Sequence, residues 1–168
     1  GEARVGRCRF SVHVERDDHA VVWLLGIERE AREAIALNYG SISMIDDAVG
    51  TVLSKLKVLG LADNTVIVFT ADHGDFLGDH QLLLKGPIHY RGLTRVPLIW
   101  ADTHASASQR SEALCQTIDL APTILDRAGV APWNGIQGQS LLPLLSGQMK
   151  NVRQDLLIDA KGQGKYMG

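Results

Sequence analysis

Between Glu28 and Leu59 apolar residues recur mostly three or four apart, at Ala31, Ile35, Leu37, Tyr39, Ile42, Ile45, Val49, Val52, Leu53, Leu56 and Leu59. That spacing paints one face of a long amphipathic helix, expected to bend at Gly40. Its charges agree with the helix dipole: Glu28, Glu30 and Glu33 open it, Lys55 and Lys57 close it, and Gly60 suits a left-handed stop. Asp63 and Asn64 then turn the chain into Thr65–Thr70, a β-branched, apolar run without polar alternation. Such a run suits a strand buried on both faces of a parallel sheet. A helix feeding straight into a buried strand is half of a βαβ unit, so the expected class is α/β, a partly parallel sheet flanked by helices.

The rest of the chain offers shorter signals. Residues 1–27 have no clear period before Ala20–Ile27, which suits a strand or an extended segment. Residues 75–95 show neither period and hold Gly78, Gly86, Pro87 and Gly92, the pattern of a long functional loop. Val96–Ala101 reads as a second buried strand with Pro97 near its start, and residues 102–111 as a polar loop. Asp119 is the expected N-cap of a helix through Ile124, Leu125 and Ala128, with Pro122 in its first turn and Gly129 as its stop. Ser140–Gly147 reads as a short helical turn, and Asp155–Asp159 as a strand before a Gly-rich tail. The expected organisation is an upstream segment over 1–27, the α/β portion over 28–148, and the start of a truncated subdomain or tail over 149–168.

Composition excludes several functions. With 45% hydrophobic and 21% charged residues among 168, the chain can bury one ordinary core. A formal charge of −2 gives no electrostatic footprint for nucleic acid. The longest apolar run, Ala20–Ile27, is far shorter than the roughly 18 residues of a membrane span, and Gly26 interrupts it. Cys8 and Cys115 are too far apart for a C-x-x-C pair and too few for a disulfide framework, so idle or buried thiols are expected. No apolar stretch follows Arg4, Arg7 and Arg9 as in a signal peptide, and localisation stays open.

The chemistry gathers just past Thr70. Asp72 and His73 offer a hard carboxylate and an imidazole at a strand end, where open α/β sheets place their ligands. Gly74 permits a tight backbone, Asp75 and His80 add polar groups as supporting residues, and Lys85 can bring a mobile cation to an anionic substrate. His89, four residues on, can face the same anion, although an exposed loop histidine is as natural. An EF-hand would need carboxylates or amides where Gly74 and Phe76 stand, and His-Glu-x-x-His is absent. His13, His19 and His104 match no motif; Trp23, Trp100 and Trp133 read as core or rim packing, and Arg91 and Arg95 as solvated loop charges.

Thr70-Ala-Asp-His-Gly-Asp-Phe-Leu-Gly-Asp-His, Lys85-Gly-Pro, Arg95-Val-Pro-Leu-Ile and Asp119-Leu-Ala-Pro-Thr-Ile-Leu-Asp-Arg-Ala-Gly together resemble the second half of the sulfatase family, within the alkaline phosphatase superfamily. Tyr39–Gly60 and Gly138-Gln-Ser-Leu-Leu-Pro-Leu-Leu-Ser-Gly extend the likeness, which covers about residues 30–148. The resemblance implies an incomplete alkaline-phosphatase-like fold, Asp72 and His73 as ligands of a divalent metal, and Lys85 as the residue on the transferred group's oxygens. Many sulfatases carry Asn after the metal Asp. His73 in its place also resembles iduronate-sulfatase-like members, phosphonate monoester hydrolases and phosphatases, so sulfate, phosphonate and phosphate esters all remain as substrates. Oxygen ligands point to calcium, the usual sulfatase ion, and an imidazole to manganese or zinc.

The family's nucleophile, a Cys or Ser in Cys/Ser-x-Pro/Ala-x-Arg that becomes formylglycine, has no match. Cys8 and Cys115 fail at the third and fifth positions, and Ser106-Ala-Ser-Gln-Arg has Ser108 where Pro or Ala belongs. Ester cleavage needs an in-line nucleophile, a cation over the charged oxygens and a proton donor. The expectation is therefore a catalytically incomplete C-terminal part of a sulfatase-like hydrolase, its formylglycine and two further metal aspartates lying in an N-terminal part. The competing class is a non-catalytic remnant acting through assembly. Strand edges and apolar faces that evolved with other neighbours would then promote self-association.

Overall fold

The computed structural model describes residues 21–23, 28–103 and 110–159. The chain divides into two compact units. One takes the residues up to Asp46 together with His73–Arg95; the other takes Asp47–Asp72 together with the residues from Val96 on. Each is described by itself.

The helical period is realised as α1, Glu28–Val58, which runs without a break through Gly40. Glu28 and Glu30 lie in its first turn and Lys55 and Lys57 in its last, and Gly60 takes the left-handed stop at φ 68°. No residue of α1 is buried: Leu37 is 68% exposed, Ile45 53% and Val52 60%. Val49 and Leu56 are half-buried. The amphipathic pattern therefore formed its helix without covering its apolar face.

In the first unit β1 (Val21–Trp23) pairs antiparallel with β3 (Leu82–Leu84), Val22 opposite Leu83. The strand β3 lies inside the stretch expected to be an irregular loop. Its run of three leucines is too short to show a period, and its pairing comes from a distant part of the chain. Phe76, Leu82 and Leu93 are buried together with Ile88 packed on them, and Arg91–Thr94 forms the single turn α2. A short 3₁₀ turn, Asp79–Gln81, precedes β3.

In the second unit β2 (Ile67–Thr70) pairs antiparallel with β4 (Leu98–Ala101), Val68 opposite Trp100 and Phe69 opposite Ile99. The expected strands thus exist, shortened at their starts, but the expected parallel ladder does not occur among the described residues. The register explains why: Thr70, the last residue of β2, faces Leu98, the first of β4, so the chain returns at the end it left. A parallel partner needs a crossover back along the sheet, commonly a helix, and residues 71–97 hold a 3₁₀ turn, β3 and the four-residue α2 but no longer helix. Neither face is fully buried: Phe69 and Ile99, opposite each other on one face, are 38% and 57% exposed, and Val68 and Trp100 on the other are half-buried.

The remaining elements follow the sequence closely. The helix α3 (Leu120–Arg127) carries Pro122 in its first turn and ends at Gly129, φ 68°. The short α4 (Leu142–Leu145) is the expected turn. Arg127 makes a forked pair with Asp102, Nε to Oδ2 at 2.5 Å and Nη2 to Oδ1 at 3.2 Å, which fastens α3 to the residue after β4. Gly138 lets the chain cross the Ile118 carbonyl, where an added Cβ would lie 2.1 Å from the oxygen. Asp155–Asp159 forms no strand; the segment is tied instead by Gln116 Nε2 donating to the Leu157 carbonyl at 2.8 Å.

Candidate active-site loop

His73 opens the loop of the first unit and is half-buried. Its Nδ1 lies 2.7 Å from the Gly74 carbonyl oxygen and its Nε2 3.0 Å from Lys85 Nζ. A carbonyl only accepts and a lysine ammonium only donates. The two partners therefore assign the proton to Nδ1 and leave a lone pair on Nε2. That tautomer is the one in which histidine binds metals through Nε2, with the other nitrogen oriented by a carbonyl.

The backbone around this pair is close and strained. Gly74 N–H donates to the Leu93 carbonyl at 2.8 Å, and a Cβ on Gly74 would sit 1.9 Å from the Gly92 oxygen. Glycine is needed here for close approach of two backbones rather than for an unusual dihedral. Four non-glycine residues, Leu77, His80, Gln81 and Leu84, have φ between 47° and 63°. Such conformations cost roughly 1–3 kcal/mol each and persist where the surroundings over-determine them. Asp75 supplies part of that determination: its Oδ1 accepts from Leu77 N–H at 2.8 Å and from Leu84 N–H at 3.1 Å. Phe76 adds a backbone bond to the Leu84 carbonyl and a buried ring.

His80 is exposed and stacks on Tyr90, ring centroids 3.6 Å apart and planes 15° apart. Tyr90 in turn meets Phe76 edge-on at 6.2 Å. Tyr90 went unnoticed in the sequence because nothing in its spacing separates it from any loop aromatic. His89 is exposed, and no hydrogen bond among the described residues joins it to Lys85. Asp72 is exposed, two residues past β2, and belongs to the second unit. One unit therefore holds His73, Asp75, His80, Lys85 and His89; His73 and Lys85 meet through their side chains, while His80 and His89 are both exposed. Among the described residues no three His, Cys, Asp or Glu side chains gather as a metal-binding group.

The most heavily engaged carboxylate was expected to do something else. Asp119 is fully buried and occupies the expected N-cap position of α3, but its side chain makes no cap bond to that helix. It accepts from Gln116 N–H at 2.7 Å and Gln139 N–H at 2.9 Å, and takes both guanidinium nitrogens of Arg153 at 2.6 Å. Burial pushes its pKa up, but the Arg153 hydrogen bonds, the two backbone donors and the Arg153 charge together hold it below the usual value. Arg153 lies far along the chain with no local signal, which is why the cap was the natural reading. Cys115, half-buried beside this pair, has its thiol pushed up by burial and then by the Asp119 charge, with Arg153 opposing. That suits the idle thiol expected; Cys8 and the histidines His13, His19 and His104 lie outside the described residues.

Comparison with known proteins gives a consistent result. A family model described as Sulfatase matches residues 11–130. The multifunctional alkaline phosphatase superfamily protein PehA of Trinickia caryophylli is 40% identical over 133 residues, 77% of this chain and 26% of that protein. The N-acetylglucosamine-6-O-sulfatase of Bacteroides thetaiotaomicron is 40% identical over 111 residues, 66% of this chain and 20% of that protein. Among solved structures, a 2-O GAG sulfatase superposes with a TM-score of 0.68 at 33% identity, covering 74% of this chain and 27% of that one. The phosphonate monoester hydrolase of Silicibacter pomeroyi superposes with a TM-score of 0.57 at 39% identity, covering 61% and 20%. The chain spans about a quarter or less of the curated relatives it matches. Their fold is alkaline-phosphatase-like α/β, and the described residues carry a part of it as helices with small sheets.

Proposed function

The chain belongs to the sulfatase family, and from that premise we propose that it supplies the cation side of a sulfuric ester hydrolase site: Lys85 for the anion's oxygens, with Asp72 and His73 for a divalent metal. The observation that carries the reading is the Lys85 Nζ to His73 Nε2 approach of 3.0 Å, held by a loop whose strained backbone Asp75 braces. It brings the mobile cation and the metal-type imidazole to one point. The donor chemistry fits a metal once Lys85 turns from the ring to the anion, because His73 carries its proton on Nδ1 and the Nε2 lone pair that accepts from Lys85 is then free for the ion, and Asp72 is the adjoining carboxylate. A carboxylate with an imidazole suits manganese or zinc as well as calcium. When bound, such an ion stabilises charge on the ester oxygens and on an attacking group. Asp75 and the buried Phe76 keep the loop in register, Lys85 orients the anion, and the nucleophile, formylglycine in this reading, comes from residues other than these 168.

Two ligands leave a divalent ion weakly held, so the proposal makes the chain one part of a larger catalytic domain. Its substrate is a sulfate monoester. A phosphonate or phosphate monoester is the second reading, supported by His73 and by the 39% identity to a phosphonate monoester hydrolase. The test compares an aryl sulfate with an aryl phosphonate monoester in the parent protein, with metal content measured on the same preparation. Higher kcat/KM for the sulfate, lost in Asp72→Ala and Lys85→Ala together with bound metal in the former, is expected. Preference for the phosphonate by tenfold or more would replace the first reading with the second. The 168-residue chain alone should show no turnover above a metal-only control; turnover that Asp72→Ala abolishes would overturn this division of labour.

A further inference from the structure

We infer that His80 and Tyr90 form an aromatic clasp that sets where Lys85 reaches, and that His80 acts through the face of its ring rather than as a ligand, acid or base. The inference deepens the reading of Lys85 as the anion-holding residue and rests on it for its functional consequence.

His80 and Tyr90 flank residues 81–89, and Lys85 lies midway between them. Their stacked rings, 3.6 Å apart and 15° from parallel, close that segment at both ends. Closing a loop removes conformations from everything inside it, so the reach of Lys85 narrows without any contact to Lys85 itself. The clasp is anchored inward: Tyr90 packs edge-on against Phe76, which is buried with Leu82 and Leu93. A chain of rings therefore runs from an exposed loop tip to the buried cluster of the same unit.

Backbone conformation gives the clasp a task. His80, Gln81 and Leu84 occupy the left-handed region, on the side of Lys85 nearest His73, with no glycine among them. Asp75 holds Leu84 through its N–H and the Gly78 carbonyl takes the Gln81 N–H at 3.0 Å, whereas among the described residues no side chain hydrogen-bonds the His80 N–H. Among the described residues the His80 ring makes no hydrogen bond and stacks on Tyr90. A role as a hydrogen-bonding group would leave that geometry unexplained; a role as an aromatic plate accounts for it.

The test reads the His73 ring directly by nitrogen-15 NMR in histidine-labelled chain, comparing His80→Phe, His80→Gln, Tyr90→Phe and Tyr90→Ala. Lys85→Met supplies the reference in which Nε2 has lost its donor. The two Phe variants should keep the wild-type Nε2 resonance; His80→Gln and Tyr90→Ala should move it toward the Lys85→Met position. His80 is exposed, so His80→Gln should fold, and amide dispersion checks this. In the parent protein His80→Gln should raise KM for the ester about three- to tenfold, as expected for a lost stacking contact, with a smaller change in kcat and rescue by His80→Phe. A His80→Phe spectrum as perturbed as His80→Gln would show a polar role and overturn the inference, and so would a wild-type resonance in both non-aromatic variants. Because the ring signal needs no turnover, a parent protein without ester hydrolysis would sink the functional reading while leaving the clasp to be judged by the spectra.

Discussion

Asp119 and Gly74 show two ways in which one residue determines local structure. Asp119 is a buried charge made tolerable by four hydrogen bonds, and its partner Arg153 is itself only 10% exposed at the side chain. Removing one member of such a pair strands the other. Asp119→Ala should therefore destabilise the chain by about 3–5 kcal/mol, measured by urea unfolding. The pH dependence has a definite sign. The folded pKa lies below the ordinary value of 3.8, so the stabilisation is fully present above that value and is lost as pH falls through the lower folded one. Unfolding scans of the wild type should show stability dropping below about pH 4, and Asp119→Asn should lose that component. At Gly74 an added Cβ would meet the Gly92 carbonyl at 1.9 Å, whereas one on Gly92 would stay 3.2 Å from the Asp75 oxygen. Gly74→Ala should cost roughly 1–3 kcal/mol, more than Gly92→Ala, and should abolish exchange protection of the amide at position 74.

Among elements, α1 and the β2–β4 ladder carry the largest imbalance between pattern and burial. A two-stranded ladder is marginal alone, and this one leaves Phe69 and Ile99 open on its surface. The helix presents Leu37, Ile42, Ile45 and Val52 to solvent, each more than half exposed. Soluble monomers rarely leave so long an apolar stripe uncovered. Replacing Ile45 and Val52 with Gln should therefore lower self-association at unchanged helix content, as read by circular dichroism and sedimentation on the same samples. A helix signal that fell with the association would mean that α1 forms only when covered.

For the whole molecule, 168 residues that cover about a quarter or less of their relatives contain the loop and an incomplete set of catalytic groups under the proposed reading. The expected consequence is association. Sedimentation velocity at low micromolar concentration should show species heavier than the monomer, reversible on dilution. A single monomer of 18.3 kDa at every concentration would mean that the exposed face of α1 is tolerated in water and that the chain is self-sufficient. The described residues contain no helix long and apolar enough to cross a membrane.

Periodicity and local chemistry determined α1, α3, α4, the two strands at Ile67–Thr70 and Leu98–Ala101, and the stops at Gly60 and Gly129. These depend on residues three or four apart, or on one residue's preferred dihedral. The family was legible for a related reason: its motifs sit in short contiguous runs around Asp72, Lys85 and Asp119. What local spacing could not carry was partnership. The antiparallel ladder follows from where the chain returns after residues 71–97. Asp119 stands at the expected N-cap position of α3, but its side chain is turned into a buried ion pair by an arginine 34 positions away. The contact of His73 with Lys85, and the stack of His80 on Tyr90, require the loop to double back through positive-φ residues of which Gly78 alone is a glycine. Each is decided by long-range packing, whose energy exceeds the local preferences that a sequence displays.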